Sequence, residues 1–168
     1  MGRAADAGSS ASVSVRLRPM TRAEFADWSP WAIEDYAREI AEEQHVHPER
    51  ALQLMRRFLA ERLPEGAETA GHRLRIAEAD GVGRVGYLWF GPKETDAGVV
   101  CWLYDLWVDE PHRARGYGRA MMHALQDEAR AAGFSRIELN VFARNHRAQA
   151  LYASLGFVEM TRQYYLEL

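Results

Sequence analysis

The sequence predicts a single α/β domain in which a mixed sheet carries helices on its faces. Two observations support this fold class. Apolar residues switch between strand-like and helix-like spacing, and the resulting order is strand, two helices, three strands, helix, strand, helix, strand. A chain of 168 residues fits one domain, which we place at residues 13–168. Residues 1–12 are rich in Ala, Gly and Ser and are expected to form a flexible tail.

The predicted domain begins with a strand and two helices. Alternating valine and leucine residues predict a strand over Ser12–Arg18, and Thr21 offers a helix N-cap soon after it. Helical spacing follows at Trp31–Glu43 and at Pro48–Leu63. The second helix has proline in its first turn, where a missing N–H costs nothing.

The second half of the chain changes its period several times. Three predicted strands follow one another: His72–Ala79, Val82–Phe90 and Val99–Val108. The remaining predicted elements are, in order, a helix at Gly116–Ala132, a strand at Ile137–Phe142, a helix at Asn145–Leu155 and a strand-like segment at Phe157–Leu168.

Composition excludes several classes of protein. Hydrophobic residues make up 48% and the net charge is −3, so no global basic field attracts nucleic acid. We find neither a signal peptide nor an apolar run of membrane-spanning length, and we therefore expect no membrane contact and a cytoplasmic protein. Cys101 is the only cysteine and Lys93 the only lysine, so no intrachain disulfide forms and nearly all positive charge is arginine.

A loop rich in glycine and arginine follows the third of those strands. The segment Tyr104–Val108 leads through 109–112 into Arg113-Ala114-Arg115-Gly116-Tyr117-Gly118-Arg119, where a helix begins. Glycines let the backbone approach a bulky anion, and amides at a helix N-terminus carry partial positive charge. The loop is interpreted as a pyrophosphate cradle, the alternative being a helix start with solvated arginines. It matches neither a P-loop nor a full G-x-G-x-x-G, which disfavours a nucleotide triphosphatase or a Rossmann dehydrogenase.

This loop resembles the R/Q-x-x-G-x-G/A signature of the GNAT superfamily of N-acetyltransferases. A second segment, Asn145-His-Arg-Ala148-Gln-Ala-Leu151-Tyr152-Ala-Ser-Leu155-Gly156-Phe157, resembles that family's N-x-x-A-x-x-L-Y-x-x-L-G-F motif. The two motifs lie in the family's order within Val99–Val158. The resemblance implies a mixed, mostly antiparallel sheet of 6–7 strands flanked by about four helices. It also implies acetyl-CoA as the acyl donor, with no metal.

The resemblance assigns a cofactor site to these segments. The backbone of Leu106, Trp107 and Val108 is expected to pair with the pantetheine arm of the coenzyme. The pyrophosphate would lie on the loop, with Arg113 or Arg115 assisting the main-chain amides of Ala114, Arg115, Gly116, Tyr117, Gly118 and Arg119. Asn145 either contacts the coenzyme or only caps its helix.

Tyr152 is the candidate general acid by the same resemblance. A phenol with a pKa near ~10 matches a departing thiol near ~8.5 within a unit or two. Periodicity alone would instead place Tyr152 in the apolar core with Leu151 and Leu155.

The general base is open at this level. Related enzymes that acetylate ribosomal-protein N-termini carry a glutamate twelve residues before the tyrosine, and here that position is Asn140. Polyamine acetylases carry Glu-Asp late in the strand that leads to the phosphate loop, and this chain has Tyr104-Asp105 at that position. Asp105 is then the nearest carboxylate, although strand alternation could turn it away from the substrate. A water chain held by Tyr104 is the alternative.

The acceptor is expected to meet the first two helices, which commonly wall the acceptor site in this superfamily. Acidic residues there suit a cationic amine, or else form a solvated helix face: Glu34, Asp35, Glu39, Glu42 and Glu43. His45 and His47 lack a third ligand nearby, so no metal site is predicted.

The sequence therefore predicts direct acetyl transfer, or transfer of a related acyl group, from CoA to a primary amine on a small molecule or peptide. One alternative is a protein N-terminal or lysine acetyltransferase. Asn140, in place of glutamate, argues against the N-terminal kind. The other is a CoA-binding regulatory module without catalysis. Dimers are common in the superfamily, which makes a homodimer a further expectation.

Overall fold

The computed structural model describes residues 13–96, 98–164, 166 and 168. These residues form five strands and four helices in the order β1 (Arg16–Pro19), α1 (Arg22–Gln44), α2 (Pro48–Arg62), β2 (Arg73–Ala79), β3 (Gly83–Thr95), β4 (Gly98–Val108), α3 (Tyr117–Ala131), β5 (Ile137–Leu139) and α4 (His146–Ser154). The predicted tail at residues 1–12 lies outside the described residues.

One sheet with the strand order β1-β2-β3-β4-β5 forms the centre of the fold. All neighbours pair antiparallel except β4 and β5, which are parallel, so the predicted mixed and mostly antiparallel sheet is confirmed. Two apolar layers cover it. Met121 and Leu125 of α3 pack on one face, and Trp28 of α1 packs with Tyr87 and Trp89 on the other. The sheet therefore separates an α3/α4 layer from an α1/α2 layer.

Helix α1 starts earlier than predicted. Thr21 closes a capping box, because its hydroxyl accepts from the Glu24 amide at 3.2 Å while a Glu24 carboxylate oxygen accepts from the Thr21 amide at 2.8 Å. The expected start at Trp31 was wrong because Pro30 lies inside the helix rather than before it. Packing of the neighbouring Trp28 in the core holds the helix across the lost main-chain donor.

The prediction of a sixth strand at Phe157–Leu168 was wrong for the described residues of that segment, none of which lies in a strand. The sheet has five strands rather than the expected 6–7. The apolar alternation is present, but a strand also needs a hydrogen-bonded neighbour, and this segment runs beside none. Strand β5 is likewise shorter than expected and ends at Leu139.

Two residues that occur once in the sequence lie on the central strands. Cys101 in β4 is fully buried, and burial raises the pKa of its thiol to about 11, so it stays protonated. Lys93 in β3 places its ammonium 3.1 Å from the centroid of the Trp102 ring, a cation–π contact.

Over the stretch in which β3 and β4 pair, β4 has one residue more than β3. Asp105 lies opposite Trp89 and Leu103 lies opposite Phe90, so Tyr104 has no partner in β3. Such a bulge bends the strand and redirects the side chains next to it. Here the bend falls one residue beyond the last pair that β4 makes with β5.

Gly86 permits the close approach of β3 and β4. A Cβ built on Gly86 would lie 2.1 Å from the main-chain oxygen of Trp107. We expect Gly86→Ala to lower the free energy of unfolding by about 3 kcal/mol or more, because the obstacle is backbone and cannot rotate away. Urea unfolding measures the loss.

Gly81→Ala is the matched control. Gly81 has a positive φ of 72° but no atom within 4 Å of a built Cβ, so only backbone strain applies, at about 1 kcal/mol. Equal losses in the two variants would show that the close approach of the strands imposes no additional constraint.

Candidate active site

Strands β4 and β5 separate at the level of the bulge. They pair only through Cys101, Trp102 and Leu103 with Ile137, Glu138 and Leu139. Beyond Leu103 the side of β4 that faces away from β3 has no strand beside it among the described residues. The main-chain oxygen of Trp107 lies against β3, and main-chain groups alternate along a strand. Those of Leu106 and Val108 therefore point into the gap.

The glycine-rich loop opens α3 with free main-chain amides. Gly116 is the N-cap, with a φ of +88° that favours glycine, and no side chain caps this helix end. The first helical bond runs from the Ala120 amide to the Gly116 oxygen at 3.1 Å. The amides of Tyr117, Gly118 and Arg119 have no partner within the described part of the chain. They are therefore free to bind an anion.

The three arginines of this loop have different surroundings. Arg113 donates from Nε to the Val108 oxygen at 3.0 Å and lies 4.4 Å over the Trp107 ring, so it takes one acceptor position on the open edge of β4. Arg119 donates to Ser154 Oγ at 2.7 Å and joins α3 to α4. Arg115 is exposed and makes no hydrogen bond to any described residue. Of the two predicted helpers, Arg115 is the one with a free guanidinium.

Ala114 adopts a left-handed conformation with φ of +61°, which is unusual for a residue with a Cβ. A strained residue of this kind persists only where its surroundings hold it, and such residues cluster at binding loops. Here it turns the chain between Arg113, which is held against β4, and the amides of the α3 N-terminus.

Helix α4 places the predicted acid beside β4. Asn145 caps it, because its side-chain oxygen accepts from the Ala148 amide at 3.0 Å. Gln149 anchors the preceding loop by donating to the oxygens of Phe142 and Ala143, at 2.9 and 2.8 Å. Tyr152 then packs against the core layer, with its ring 5.6 Å from that of Phe157. Tyr152 therefore belongs to the apolar stripe of α4 and packs in the same core layer as Leu106 and Val108 of β4.

Asp105 lies in the α1/α2 layer together with two phenols. The hydroxyls of Tyr87 and Tyr36 lie close to its carboxylate, and Tyr36 donates to the Tyr104 oxygen at 3.3 Å. Burial raises the pKa of Asp105 to about 6, and the polar groups of Tyr87, Tyr36 and the Leu106 amide oppose that rise. The bulge thus leaves Asp105 at the site, contrary to the concern about strand alternation.

The charge of Asp105 reaches the predicted acid. Burial, and secondly the negative charge of Asp105, raise the pKa of Tyr152 to about 12. Asp105 and Tyr152 are therefore near enough for the charge of one to act on the other, with Tyr152 in the α3/α4 layer and the neighbours of Asp105 in the α1/α2 layer.

Part of the acidic run of α1 faces this site. Glu39 is partly buried, and burial together with the charge of Asp35 raises its pKa, while its own charge raises that of Asp105. Glu34 and Glu42 are exposed. Arg144, in the loop before α4, pairs with Glu42 at 2.6 Å and with Glu43 at 3.2 Å and so connects the two walls of the site.

Tyr104 lies in an adjoining aromatic cluster rather than beside Tyr152. Its ring stacks on Trp89 at 4.4 Å and lies 5.3 Å from His72, while the Arg62 guanidinium lies 6.0 Å away. Its buried hydroxyl has no hydrogen-bond partner among the described atoms, and burial raises its pKa. Sequence analysis did not find Tyr36 and Tyr87, whose distance from Asp105 depends on the register shift in β4.

Comparison with known proteins agrees with this geometry. The model of the Acetyltransferase (GNAT) family matches residues 25–157. This chain belongs to the GNAT acetyltransferase family. It is 31% identical to the uncharacterized N-acetyltransferase YycN of Bacillus subtilis (strain 168) over 147 residues, 88% of this chain and 94% of that protein. The crystal structure of YycN superposes with a TM-score of 0.85 and covers 92% of this chain and 99% of that one.

Two further acetyltransferases are similar to this chain, one in part of its sequence and the other in its fold. The ribosomal protein bS18-alanine N-acetyltransferase of Escherichia coli (strain K12) is 43% identical over 65 residues, 38% of this chain and 44% of that protein. AAC(6')-Iy, in complex with the bisubstrate analogue CoA-S-monomethyl-acetylneamine, shares the fold at a TM-score of 0.58 and 19% identity, with 92% of this chain and 97% of that one covered. The GNAT family makes this chain an acyltransferase, and the donor of the family is acetyl-CoA.

The described residues contain neither a membrane-spanning helix nor a metal-binding cluster. No helix in the described part of the chain is long and apolar enough to cross a membrane. The described residues contain no group of three or more His, Cys, Asp and Glu side chains that could hold a metal ion.

We expect Asp105 to titrate at about 6 in carboxyl ¹³C NMR, above its ordinary value of 3.8. The folded protein then binds this proton more tightly than the unfolded chain, so stability falls as the pH rises from 3.8 to 6 and is lowest above 6. Asp105→Asn removes the buried charge. Its Tm should therefore exceed that of the unmodified protein by more at pH 8 than at pH 5.

Tyr87→Phe should raise the pKa of Asp105 further, because it removes a nearby hydroxyl that lowers the pKa of this carboxyl group. Tyr164→Phe, on an exposed part of the chain, is the matched control and should leave it unchanged. A midpoint near 4 in the unmodified protein would contradict the buried environment.

Proposed function

We propose that this protein transfers an acetyl group from acetyl-CoA directly to a primary amine that carries positive charge, with Asp105 as general base and Tyr152 as general acid. The observation that carries the proposal is that the negative charge of Asp105 raises the pKa of Tyr152, close to where β4 and β5 separate. A base and an acid on opposite sides of one reacting centre are what aminolysis of a thioester needs.

The donor is supported by the open edge of β4 and the free amides of α3. The Leu106 oxygen and the Val108 amide point into the gap, where an amide-containing arm can pair with them. The amides of Tyr117, Gly118 and Arg119, with the free Arg115 guanidinium, offer positive charge to a diphosphate. The protein itself occupies none of these three amides within its described residues.

The base step follows from the environment of Asp105. An alkyl ammonium with a pKa near ~10.4 is only about one part in ~10³ neutral at pH 7, so the attacking nitrogen must lose a proton. With a pKa of about 6, Asp105 is ionised at neutral pH yet more basic than an ordinary aspartate. Holding amine and thioester together supplies much of the remaining rate.

The acid step is linked to the base step through one charge. At a pKa of about 12, Tyr152 is a poor donor to a thiolate while Asp105 is ionised. When Asp105 takes the proton of the attacking amine, its negative charge disappears and the pKa of Tyr152 falls. Tyr152 thus becomes a better acid at the stage when the carbon–sulfur bond breaks and the thiolate needs a proton.

The acceptor class is supported by the carboxylates around the base. Glu39 of α1 adds negative charge near Asp105, and it is partly buried, where charges are screened less than at the surface. Asp35, which pairs with Arg38, lies near Glu39. A cationic amine would be attracted to this wall. A peptide N-terminus is the second candidate acceptor, favoured by the 43% identity to the bS18-alanine enzyme over 65 residues. Asn140, in place of the glutamate of such enzymes, argues against it.

We expect acetyl-CoA to raise the Tm of the protein and Gly116→Glu to abolish that rise. A carboxylate at the mouth of the α3 amides repels the diphosphate, and Gly116 has a positive φ that strains any other residue. Differential scanning fluorimetry with and without acetyl-CoA measures the shift.

Gly133→Glu is the matched control, since Gly133 follows the other end of α3 with a φ of +84° and nothing within 4 Å of a built Cβ. It should cost similar stability and keep the acetyl-CoA shift. Absence of any shift in the unmodified protein at saturating acetyl-CoA would remove the donor assignment.

We expect CoA thiol release, monitored with a thiol reagent, above background for cationic amines such as diamines in a panel that also contains neutral amines and peptides with N-terminal alanine. Tyr152→Phe and Asp105→Asn should each lower turnover about 10²–10⁴-fold while the acetyl-CoA Tm shift persists. Because the base must be ionised, release should decline as the pH falls through about 6.

The amine panel separates the alternatives. Preference for the alanine peptide would favour the second candidate acceptor. A Tm shift without thiol release for any amine would favour a regulatory module that binds CoA, and unchanged turnover in Tyr152→Phe would remove its role as the acid.

A further inference from the structure

The last residue of α2 carries a positive charge without a counterion. Arg62 is exposed and forms no ion pair with any described carboxylate, whereas Arg57 of the same helix binds Glu61 at 2.6 Å. The guanidinium carbon of Arg62 lies 5.7 Å from the centroid of the Phe58 ring and 6.0 Å from that of the Tyr104 ring. The charge therefore lies beside aromatic rings and remains available to an anion.

The Tyr104 hydroxyl is a second unused group at this place. It is buried and has no hydrogen-bond partner among the described atoms. Burial raises the pKa of Tyr104, and the nearby charge of Arg62 opposes that rise. A buried hydroxyl without a partner is unfavourable, and a ligand atom that accepts its hydrogen bond would relieve this. Because Arg62 is exposed and unpaired, its side chain can turn to admit such a ligand.

His72 places a neutral donor beside the same ring, with 5.3 Å between the His72 and Tyr104 centroids. Its Nδ1 accepts from Trp89 Nε1 at 3.1 Å, so the proton of the neutral imidazole is on Nε2. Burial, and secondly the charge of Arg62, lower the pKa of His72 and keep it neutral. Gly91 makes room for this ring, because a built Cβ there would lie 2.7 Å from His72 Nδ1.

We propose that Arg62, Tyr104 and His72 bind a carboxylate of the acceptor, so that the substrates are amines that also carry a carboxylate. This rests on the proposed function, because the amine end must lie at Asp105. Asp105 follows Tyr104 directly, with about 3.8 Å between their Cα atoms, and the bulge leaves both side chains in the α1/α2 layer. One molecule can therefore place its amine at the base and its carboxylate at Arg62.

A carboxylate matches these donors better than a phosphate does. A guanidinium binds a planar carboxylate through two parallel N–H groups. A phosphate monoester carries about two negative charges at neutral pH, whereas Arg62 is the one cation among the described residues that acts on both Tyr104 and His72. The other end of the site is acidic, because Glu39 adds its charge to that of Asp105. An acceptor with an ammonium at one end and a carboxylate at the other fits both ends.

The first test compares acceptors of one length that differ only at the far end. In thiol release, kcat/KM should be higher for 5-aminopentanoate than for pentylamine or 1,5-diaminopentane, and shorter and longer homologues of each locate the optimum. The ratio of kcat/KM for the amino acid to that for the alkylamine should fall at least about tenfold in Arg62→Gln. Arg56→Gln, at another exposed arginine of α2, is the matched control and should keep the ratio. Turnover of amines without preference for the carboxylate at any length would overturn this proposal and leave the acetyl transfer standing.

The second test measures binding without chemistry. Pentanoate has the carboxylate but no amine, and it should shift the His72 Nε2 resonance in ¹⁵N NMR spectra in a saturable manner, with and without CoA. Pentanol is the matched control ligand and should leave the resonance unchanged. Arg62→Gln should raise the Kd of pentanoate at least about tenfold, and Arg56→Gln should not. No response of His72 to pentanoate would overturn the carboxylate site. Saturable binding in a protein that releases no thiol would support the site and count against the proposed function instead.

Discussion

The single additional residue in β4 is the constraint on which the site depends. Without it, side chains of Tyr104 and Asp105 would alternate between the two layers, and β4 could continue beside β5. With it, β4 bends away after Leu103, main-chain groups of Leu106 face a gap, and Asp105 remains in the α1/α2 layer beside Tyr87. Gly86 belongs to the same arrangement, because only a residue without Cβ lets β3 follow the bend. One local change in pairing thus creates the space for a donor and sets the position of a base.

The gap is bordered by elements that different kinds of contact hold in place. Arg113 fastens the loop to β4 through the Val108 oxygen and the Trp107 ring, and Arg119 joins α3 to α4. On the far side, Arg144 ties the loop before α4 to the end of α1. Sequence analysis groups the loop residues Arg113, Arg115 and Arg119 by charge. In the structure Arg113 and Arg119 have hydrogen-bond partners, whereas Arg115 has none among the described residues. The contacts of each arginine, rather than the number of arginines in the loop, decide which positive charge is available to an anion.

Features encoded by short segments were predictable from sequence, and features that depend on pairing were not. The Gly116 turn, the Asn145 cap and the capping residue Thr21 each act within a few neighbouring residues, so motif and cap rules find them. The partners of Asp105 come from α1 and β3 and depend on a register shift, which no local pattern reports. The segment after Phe157 fails for the opposite reason. Its alternation is typical of a strand, but no strand lies beside the described residues of this segment.

The contact between Lys93 and Trp102 has a chemical consequence for a protein that handles a reactive thioester. Amines near acetyl-CoA become acetylated without catalysis, and Lys93 is the only side-chain amine in the molecule. The Trp102 ring covers one side of its ammonium, with 3.1 Å between the nitrogen and the ring centroid, and so restricts the approach of a thioester. Arginine supplies the remaining positive charge, and guanidinium groups do not attack thioesters at neutral pH. Acetylation of a side-chain amine of this protein by the donor therefore has one position at which it can occur.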